Sequence, residues 1–365
     1  MKFNEIGFIG LGLIGGSIAR KIKALNPDAK IFATAGHEET IKEAYSMGLI
    51  ENNSKLALDK FSNCDIIFLC APVQKNIEYL NELKDIIKSD CVITDVGSTK
   101  TEIHNEVIRL GLEKNFIGGH PMTGSEKTGI TNSDEYLLEN AYYIITPTQY
   151  TKETEVEAFR NFVISLGSIP LILDYEAHDY ATAAISHLPH MISFSLVNLV
   201  KKVDDNKETM KTIAAGGFRD MSRIAASSPV MWQNICFSNK EQLLKLMDMY
   251  IDTFSELKKY IQDSDKEKLL SFFQEAKDYR DSLTIPAKKH KDDYYEIFID
   301  LKDETGGIAI IANILAFKGI SIKNIGIINN REFEEGVLRI ELYDLDSLNT
   351  AVTVLEERNY IVYRR

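Results

Sequence analysis

Cysteine is scarce in this sequence. The 365 residues include only Cys64, Cys70, Cys91 and Cys236, which form no CxxC pair and no zinc-ligand spacing. This pattern excludes the common structural zinc modules. Because three of the four lie in or beside apolar runs, we expect buried free thiols in the reducing environment of the cytoplasm.

Long apolar runs and clustered positive charge are also lacking. No run approaches the roughly 20 apolar residues of a membrane span. Because the stretch MKFNEIGFIG leads directly into a predicted strand, we expect no signal peptide. The net charge of −12 argues against a nucleic-acid surface, which needs clustered Lys and Arg. With 44% apolar and 26% charged residues, we expect a globular protein without a membrane or nucleic-acid partner.

The chain divides into three segments of different periodicity. Residues 1–150 alternate strand-like and helix-like patterns, which predicts an α/β domain with a Rossmann-type parallel sheet. Residues 151–285 carry long amphipathic patterns, which predict an all-α domain for substrate binding and dimerisation. Residues 293–365 follow the order strand, helix, strand, strand, helix, strand, which predicts a ferredoxin-like domain.

A glycine-rich loop follows the first predicted strand. GFIGLGLIGGS has the spacing G-x-G-x-x-G and leads into a predicted helix, the context of a dinucleotide site. Gly10 permits a tight turn, Gly12 lets the backbone approach a pyrophosphate, and Gly15 allows close helix–strand packing. The residues assigned to the cofactor are Gly10, Gly12, Leu13, Ile14, Gly15, Thr34, His37, Ala71, Pro72 and Ser98.

The acid that usually binds the adenosine ribose is missing. Ala35 and Gly36 stand where it is expected at the end of the second strand, so Thr34 or His37 would face the ribose instead. A 2′-phosphate would not be repelled, yet no arginine is there to bind it. We favour NAD, and NADP stays open.

Polar side chains follow the fourth predicted strand. DVGSTK supplies Asp95, Ser98 and Lys100 at a strand carboxyl end, where open α/β sheets bind ligands. The alternative is an ordinary loop with a helix cap, and we expect that role for Thr99.

NFIGGHPMTGSE places His120 between a Gly-Gly pair and Pro121. Taken alone, the stretch predicts a tight turn, because glycine permits close approach of the backbone and proline restricts it. Its position beside a dinucleotide-binding sheet favours chemistry for His120, with Thr123 and Glu126 as neighbours in the sequence.

The helical segment adds histidines and arginines. His187 and His190 are three residues apart, but no Glu or Cys stands at ligand spacing, so no metal is expected. For His178 and His187, a structural position in the core or at a helix end and a role in the site agree equally well with the sequence. Arg219 and Arg223 lie four apart on one helical face and suit a substrate with two carboxylates, unless that face is a solvated surface.

Together these motifs resemble one known family. GLGLIGGS, DVGSTK, GGHPMTGSE, SHLPH and GGFRDMSRIAASSPVMW occur in the order seen in the prephenate/arogenate dehydrogenases of tyrosine biosynthesis, over the first 285 or so residues. The resemblance implies NAD(P)-dependent oxidative decarboxylation of a cyclohexadienol. It also implies a homodimer, which forms through the helical domains.

By this resemblance, His120 is the catalytic histidine that accepts a hydrogen bond from the ring hydroxyl, and Ser98 bonds that hydroxyl or orients the histidine. Arg223 matches the arginine that binds a substrate carboxylate. The other substrate residues implied are Arg219, His190, Glu126, Trp232 and Thr123.

The last segment resembles an ACT domain, a module that binds amino acids. The resemblance implies an effector site at Gly307, Asn324 and Ile325, with tyrosine as the feedback inhibitor. Thr305 and Gly306 stand where ACT domains usually have Pro-Gly, and the alternative is a domain that only mediates assembly.

Three functions compete. The first is prephenate dehydrogenase, and the sequence does not separate prephenate from arogenate as substrate. A β-hydroxyacid dehydrogenase shares the architecture but needs a catalytic lysine on the long helix, where ISHLPHMISF offers none. A non-catalytic amino-acid sensor would tolerate loss of His120, Ser98 and Arg223, all of which are present.

Overall fold

A computed structural model describes residues 3–124, 127–283, 295–301, 305–328 and 336–364. The chain forms two compact units, Met1–Asp265 and Lys266–Arg365.

A parallel sheet organises the first unit, as predicted. It contains β1 (Glu5–Ile9), β2 (Lys30–Thr34), β3 (Ile66–Leu69) and β4 (Val92–Asp95) in the order β2-β1-β3-β4. Helices connect these strands: α1 (Leu13–Leu25), α2 (Glu38–Ser46), α3 (Val73–Leu83) and α4 (Thr101–Leu110).

Both faces of this sheet are covered. Ile66 and Phe68 of β3 pack into one apolar cluster, whereas Ile67 and Leu69 pack into another. Successive side chains of a strand point to opposite faces, so a continuous apolar run gives a strand with a core on each side.

A second sheet contains the histidine that the sequence placed in a turn. It is formed by β5 (Ile117–Pro121), β6 (Tyr142–Pro147) and β7 (Ile169–Ile172), with β5 antiparallel and β7 parallel to β6. A parallel bridge from Ile93 to Phe116 brings β5 beside β4. The turn prediction was therefore wrong: His120 lies in an extended strand and is paired with Ile144.

One continuous helical run crosses the second half of this unit. α5 (Glu153–Ser165) precedes β7, and then α6 (Tyr175–Thr182), a wider turn (Ala183–His187) and α7 (Leu188–Val203) join without a break. The segment predicted to be all-α therefore also contributes a strand, because β7 pairs with β6. In the wider turn, the Leu188 amide donates to the Ala183 carbonyl five residues back. Such a turn accommodates Pro189, which lacks an amide hydrogen, without ending the helix.

The run departs from the expectation that no segment is long enough for a membrane span. Tyr175–Val203 has 29 residues and a mean hydropathy of 1.3, with 17% of its most apolar window buried. A helix at the centre of a domain or at a subunit interface has the same length and composition, so one such helix is weak evidence for a membrane.

The remaining helices of the first unit are short apart from the last. They are α8 (Thr209–Ile213), α9 (Gly216–Ser222), a 3₁₀ turn (Arg223–Ala226), α10 (Pro229–Ser238) and α11 (Lys240–Gln262).

The second unit contains the ferredoxin-like fold that the sequence predicts. After α12 (Lys266–Ser282) come β8 (Glu296–Leu301), α13 (Gly307–Phe317), β9 (Ile322–Ile328), β10 (Gly336–Leu342), α14 (Leu345–Glu356) and β11 (Val362–Arg364). The sheet is antiparallel with the order β11-β8-β10-β9. Its core lies between this sheet and the two helices α13 and α14.

Candidate active site

The glycine loop fits a dinucleotide. Gly10 has φ +92°, and a Cβ there would lie 2.7 Å from the Cys70 carbonyl carbon, so only glycine is accommodated. Among the described residues, a Cβ on Gly12 would meet nothing within 4 Å, which leaves open space at the start of α1. No side chain in the described part of the chain caps that helix end, so its amides remain available to a pyrophosphate.

The ends of β2 and β3 form the next part of this cleft. Thr34 is buried and its carbonyl accepts from the Gly10 amide, whereas His37 is exposed at the start of α2. The Lys55 ammonium donates to the Gly36 carbonyl. Sequence reasoning did not identify Lys55 as a cation at this strand end. Ala71 is held by Asn76, whose buried amide side chain bonds to both the amide and the carbonyl of Ala71.

Asp95 ties together the two segments that carry Ser98 and His120. Its carboxylate accepts the Gly97 amide at 2.9 Å and the Gly119 amide at 3.2 Å, the residues just before Ser98 and His120. A Cβ on Gly119 would lie 2.7 Å from the Asp95 carbonyl oxygen, so the close approach requires glycine.

Lys100 forms a salt bridge with Asp95 in which both side chains are 0% exposed. Removing one partner of such a pair usually costs about 3–5 kcal/mol, because the other charge stays buried without compensation. The pair therefore holds the carboxylate that binds the Gly97 and Gly119 amides.

A hydrogen-bonded chain of three side chains leads away from His120. Its Nδ1 is 2.8 Å from Nε2 of His178, and Nδ1 of His178 is 2.8 Å from Oδ1 of Asp179. Asp179 also accepts the amides of Lys100 and Thr101 at 2.8 Å each, at the start of α4. His178 and Asp179 are 0% exposed, whereas His120 is partly accessible.

The surroundings keep His120 neutral and Asp179 ionised. Burial, followed by the charges of His178, Lys100 and His187, holds the pKa of His120 well below 6.5. Burial opposes ionisation of Asp179, but hydrogen bonds from His178 and Thr101 outweigh it and leave the pKa of Asp179 lowered. His120 is therefore a neutral base at physiological pH.

Aromatic and basic side chains lie on the helical elements of the first unit, in the wider turn, α7, the 3₁₀ turn and α10. The rings of His190 and Trp232 stack with centroids 3.8 Å apart, and His187 meets Trp232 edge-on at 6.0 Å. His190 has a lowered pKa, because burial and the charge of Arg223 both disfavour its protonated form. Arg223 thus lies within electrostatic reach of His190. The Nε1 of Trp232 is buried without a hydrogen-bond partner among the described residues.

The other predicted substrate residues are placed less centrally. Arg219 lies on α9 and Arg223 at the start of the following 3₁₀ turn, so the two do not share one helix as expected, and both are exposed. The Thr123 hydroxyl donates to the Leu137 carbonyl at 3.0 Å, and this bond holds the segment after β5 against the segment that contains Leu137. Ser98 is half-buried, and Thr99 bonds to Ser238 rather than capping a helix as expected. Glu126 lies outside the described residues.

The proposed effector residues lie in the second unit. Asn324 lines a cavity of about 170 Å³ together with Gly326, Ile327, Arg339 and Glu341. Ile325 is 38% exposed on the same strand, and Gly307 is buried at the start of α13, where a Cβ would lie 3.0 Å from Leu301.

Sequence reasoning missed His178, Asp179 and Asn76 as site residues. The HDY sequence within the long helix gave a signal, a histidine next to an acid. The contacts with β5 and α4 are 58 and 79 residues away in sequence, and no local pattern reports them.

Comparisons with known proteins identify the family of the chain. Residues 18–169 match the family description "Prephenate dehydrogenase, nucleotide-binding domain", and residues 174–275 match "Prephenate dehydrogenase, dimerization domain". Prephenate dehydrogenase of Bacillus subtilis (strain 168) is 37% identical over 96% of this chain and 95% of its own. That of Lactococcus lactis subsp. cremoris is 35% identical over 97% and 98%.

Solved structures give the same result. Prephenate dehydrogenase from Aquifex aeolicus in complex with hydroxyphenyl propionate and NAD⁺ superposes with a TM-score of 0.72 at 29% identity, over 78% of this chain and 99% of that one. Arogenate dehydrogenase from Synechocystis superposes with a TM-score of 0.69 at 30% identity, over 77% and 100%. The chain belongs to the prephenate dehydrogenase family.

Proposed function

We propose that this protein is an NAD-dependent prephenate dehydrogenase that converts prephenate to 4-hydroxyphenylpyruvate in tyrosine biosynthesis. The observation that carries the proposal is the neutral imidazole of His120, held at Nδ1 by His178 and joined through the Gly119 amide to Asp95 at the end of the parallel sheet. Two relatives over 34% identical along nearly the whole chain bear that name.

The reaction needs a proton acceptor for only part of its course. When bound, the nicotinamide takes a hydride from the ring carbon that bears the hydroxyl. His120 holds the hydroxyl proton meanwhile, the bond to the ring carboxylate breaks, and its electron pair makes the ring aromatic as CO₂ leaves. The proton then returns to the oxygen, so the overall reaction releases none.

The substrate carboxylates need cations, and the helical side of the cleft supplies them. We assign Arg223 to one carboxylate, since its charge already acts on His190. Trp232, His190 and Arg219 complete this side, and Ser98 bonds the ring hydroxyl with His120. Trp232 brings a buried Nε1 hydrogen that suits an oxygen of the substrate.

The cofactor assignment follows from the loop geometry. The open space at Gly12 and the uncapped start of α1 accept the pyrophosphate, flanked by Leu13, Ile14 and Gly15. Thr34, His37, Ala71 and Pro72 line the strand ends that receive the rest of the dinucleotide.

Arogenate is the second candidate substrate, because the Synechocystis arogenate dehydrogenase has the same fold at 30% identity. The two substrates differ only in a keto or amino group on the side chain.

We also propose that the protein is a homodimer, formed through the helical region that matches the dimerization domain. We place the protein in the cytoplasm with other enzymes of amino-acid biosynthesis.

The test is the appearance of the reduced cofactor by absorbance, with prephenate or arogenate as substrate. We expect turnover with prephenate and NAD. Replacing His120 by Asn should lower kcat on the order of 10² to 10⁴-fold, because the proton acceptor is lost. NAD binding, measured by calorimetry, should stay at the level of the native protein. Near-normal turnover of His120→Asn, or no turnover of the native enzyme with any substrate, would contradict the proposal.

A further inference from the structure

We propose that Asp179, acting through His178, is a positioning residue that sets which nitrogen of His120 carries the proton. The inference rests on the proposed function, since it concerns the base of that reaction. It adds two residues, on α6, that do not contact the substrate.

The assignment follows from counting donors and acceptors. Asp179 is ionised and can only accept, so Nδ1 of His178 must donate to it. With its proton on Nδ1, the His178 ring presents the lone pair of Nε2, which accepts from Nδ1 of His120. The remaining nitrogen of His120, Nε2, is left as a lone pair for the substrate hydroxyl.

The anion that fixes this order is itself fixed by a helix. Both carboxylate oxygens of Asp179 receive backbone amides, from Lys100 and Thr101, at the start of α4. The amide dipoles at a helix N-terminus favour a negative charge. α4 therefore holds the carboxylate, the carboxylate orients His178, and His178 orients His120.

The same chain stabilises the transient charge on His120. When the ring holds the substrate proton, the cations facing it oppose that charge: Lys100 before α4, and His187 and His178 when protonated. Asp179 is the anion that bonds directly to His178, whereas Asp95 is already paired with Lys100. Its charge, carried through His178, offsets the desolvation of the imidazolium.

The first measurement uses ring-¹⁵N NMR of histidine-labelled native protein, without ligands. His120→Asn identifies the relevant signals by their loss. We expect an unprotonated Nε2 and a protonated Nδ1 at His120. The reverse pattern, with His178 protonated and donating to His120, would overturn the proposal even if every variant failed to fold.

The second measurement replaces Asp179 by Asn. The new amide can donate to Nδ1 of His178, which would reverse both histidines and put a proton on Nε2 of His120. In serine proteases the equivalent change in a Ser-His-Asp triad lowers kcat about 10⁴-fold through the wrong tautomer. We expect a fall in kcat on the order of 10² to 10⁴-fold with a smaller change in KM, the reversed ¹⁵N pattern, and unchanged NAD affinity.

The matched control is Asp174→Asn, which removes a carboxylate from the start of the same helix without touching His120. It should leave kcat and the ¹⁵N pattern unchanged. His178→Phe should lower kcat about as much as Asp179→Asn, and the double variant should lose no more than the larger single loss, since the two act as one unit.

The acid limb of the pH profile gives a further readout. Removal of the anion should move it to lower pH, because the imidazolium of His120 loses stabilisation. Three results would each contradict the proposed role of Asp179 and His178. They are additive losses of kcat in the double variant, normal turnover of Asp179→Asn, and a shift of the acid limb to higher pH. A native enzyme inactive with prephenate but with the expected ¹⁵N pattern would refute the substrate instead.

Discussion

At the residue scale, two glycines in one loop have separate tasks. Gly10 has a left-handed φ of +92° and no room for a Cβ, whereas Gly12 has open space around the same position. The first glycine is required by the fold, and the open space at the second suits a ligand.

This difference predicts opposite effects of substitution. Gly12→Val should fold as the native protein does, yet bind NAD about tenfold more weakly or worse, since its side chain fills the space for the pyrophosphate. Gly10→Ala should lose about 1–3 kcal/mol of unfolding free energy through backbone strain. Calorimetric titration with NAD and thermal unfolding without it measure the two effects. Native NAD affinity in Gly12→Val would show that the pyrophosphate lies elsewhere.

The polar contacts of the site were predictable only in part. The polar and glycine-rich composition of DVGSTK and GGHP predicts site segments, because ligands bind at the carboxyl ends of strands in open α/β sheets. The bond from Asp95 to the Gly119 amide spans 24 residues, and that from His120 to His178 spans 58. Such partners depend on how elements pack, which residue periodicity does not encode.

At the element scale, periodicity predicted the buried strands and missed β5. Glycine and proline disfavour strands, so IGGHP looks like a turn. Pairing with β6 and the bridge beside β4 override that local preference. The wider turn at Ala183–His187 likewise lets a helix continue past Pro189, where a sequence rule predicts an interruption.

Helix α4 carries a histidine that makes the first unit sensitive to acid. His104 is 1% exposed, stacks on Tyr175 at 4.5 Å and is 2.9 Å from the Thr146 hydroxyl. Burial, followed by the charge of Lys100, lowers its pKa from 6.5 to about 3. Between those values the unfolded chain binds a proton that the folded protein does not. The free energy of unfolding therefore falls as pH drops from 6.5, by about 1.4 kcal/mol per pH unit for this group.

His104→Gln should remove that contribution while keeping a polar partner for Thr146. At pH 7.5 the variant is expected to be less stable than the native protein, because the stacking on Tyr175 is lost. The difference should shrink by about 1.4 kcal/mol for each pH unit between 6.5 and 4. Denaturant unfolding followed by the fluorescence of Trp232, the one tryptophan of the chain and a residue of this unit, measures it. A difference that stays constant with pH would mean that His104 titrates alike in both states.

At the scale of the whole molecule, the apolar helix and the second unit point to assembly and regulation. Ile185, Leu199 and Val203 of the long helical run are 69%, 56% and 53% exposed. They lie within the region that matches the dimerization domain, and a second copy of the chain would cover them. A subunit interface of this kind would account for the length and exposed apolar side chains of the run without a membrane.

The second unit leads to a prediction about feedback. We propose tyrosine as the effector, bound near Asn324, whose side chain lines a cavity with one cation, Arg339, and one anion, Glu341. Arg339 and Glu341 are paired with each other at 3.3 Å, and Arg339 also pairs with Glu296. A zwitterionic amino acid would bind by placing its carboxylate on Arg339 and its ammonium on Glu341. Asn324→Ala in the full chain should therefore abolish most inhibition by tyrosine while kcat and KM for prephenate stay native. Lys323→Ala, an exposed neighbour on the same strand, is the matched control and should be inhibited normally.

Steady-state rates at increasing tyrosine, at low and at saturating prephenate, separate the explanations. Inhibition through the second unit should persist at saturating prephenate and should disappear in Asn324→Ala. If the variant is inhibited like the native enzyme and prephenate overcomes the inhibition, tyrosine competes at the active site, where its phenol ring resembles the product. In that case the ferredoxin-like unit serves assembly, and calorimetry should detect no tyrosine site that depends on Asn324.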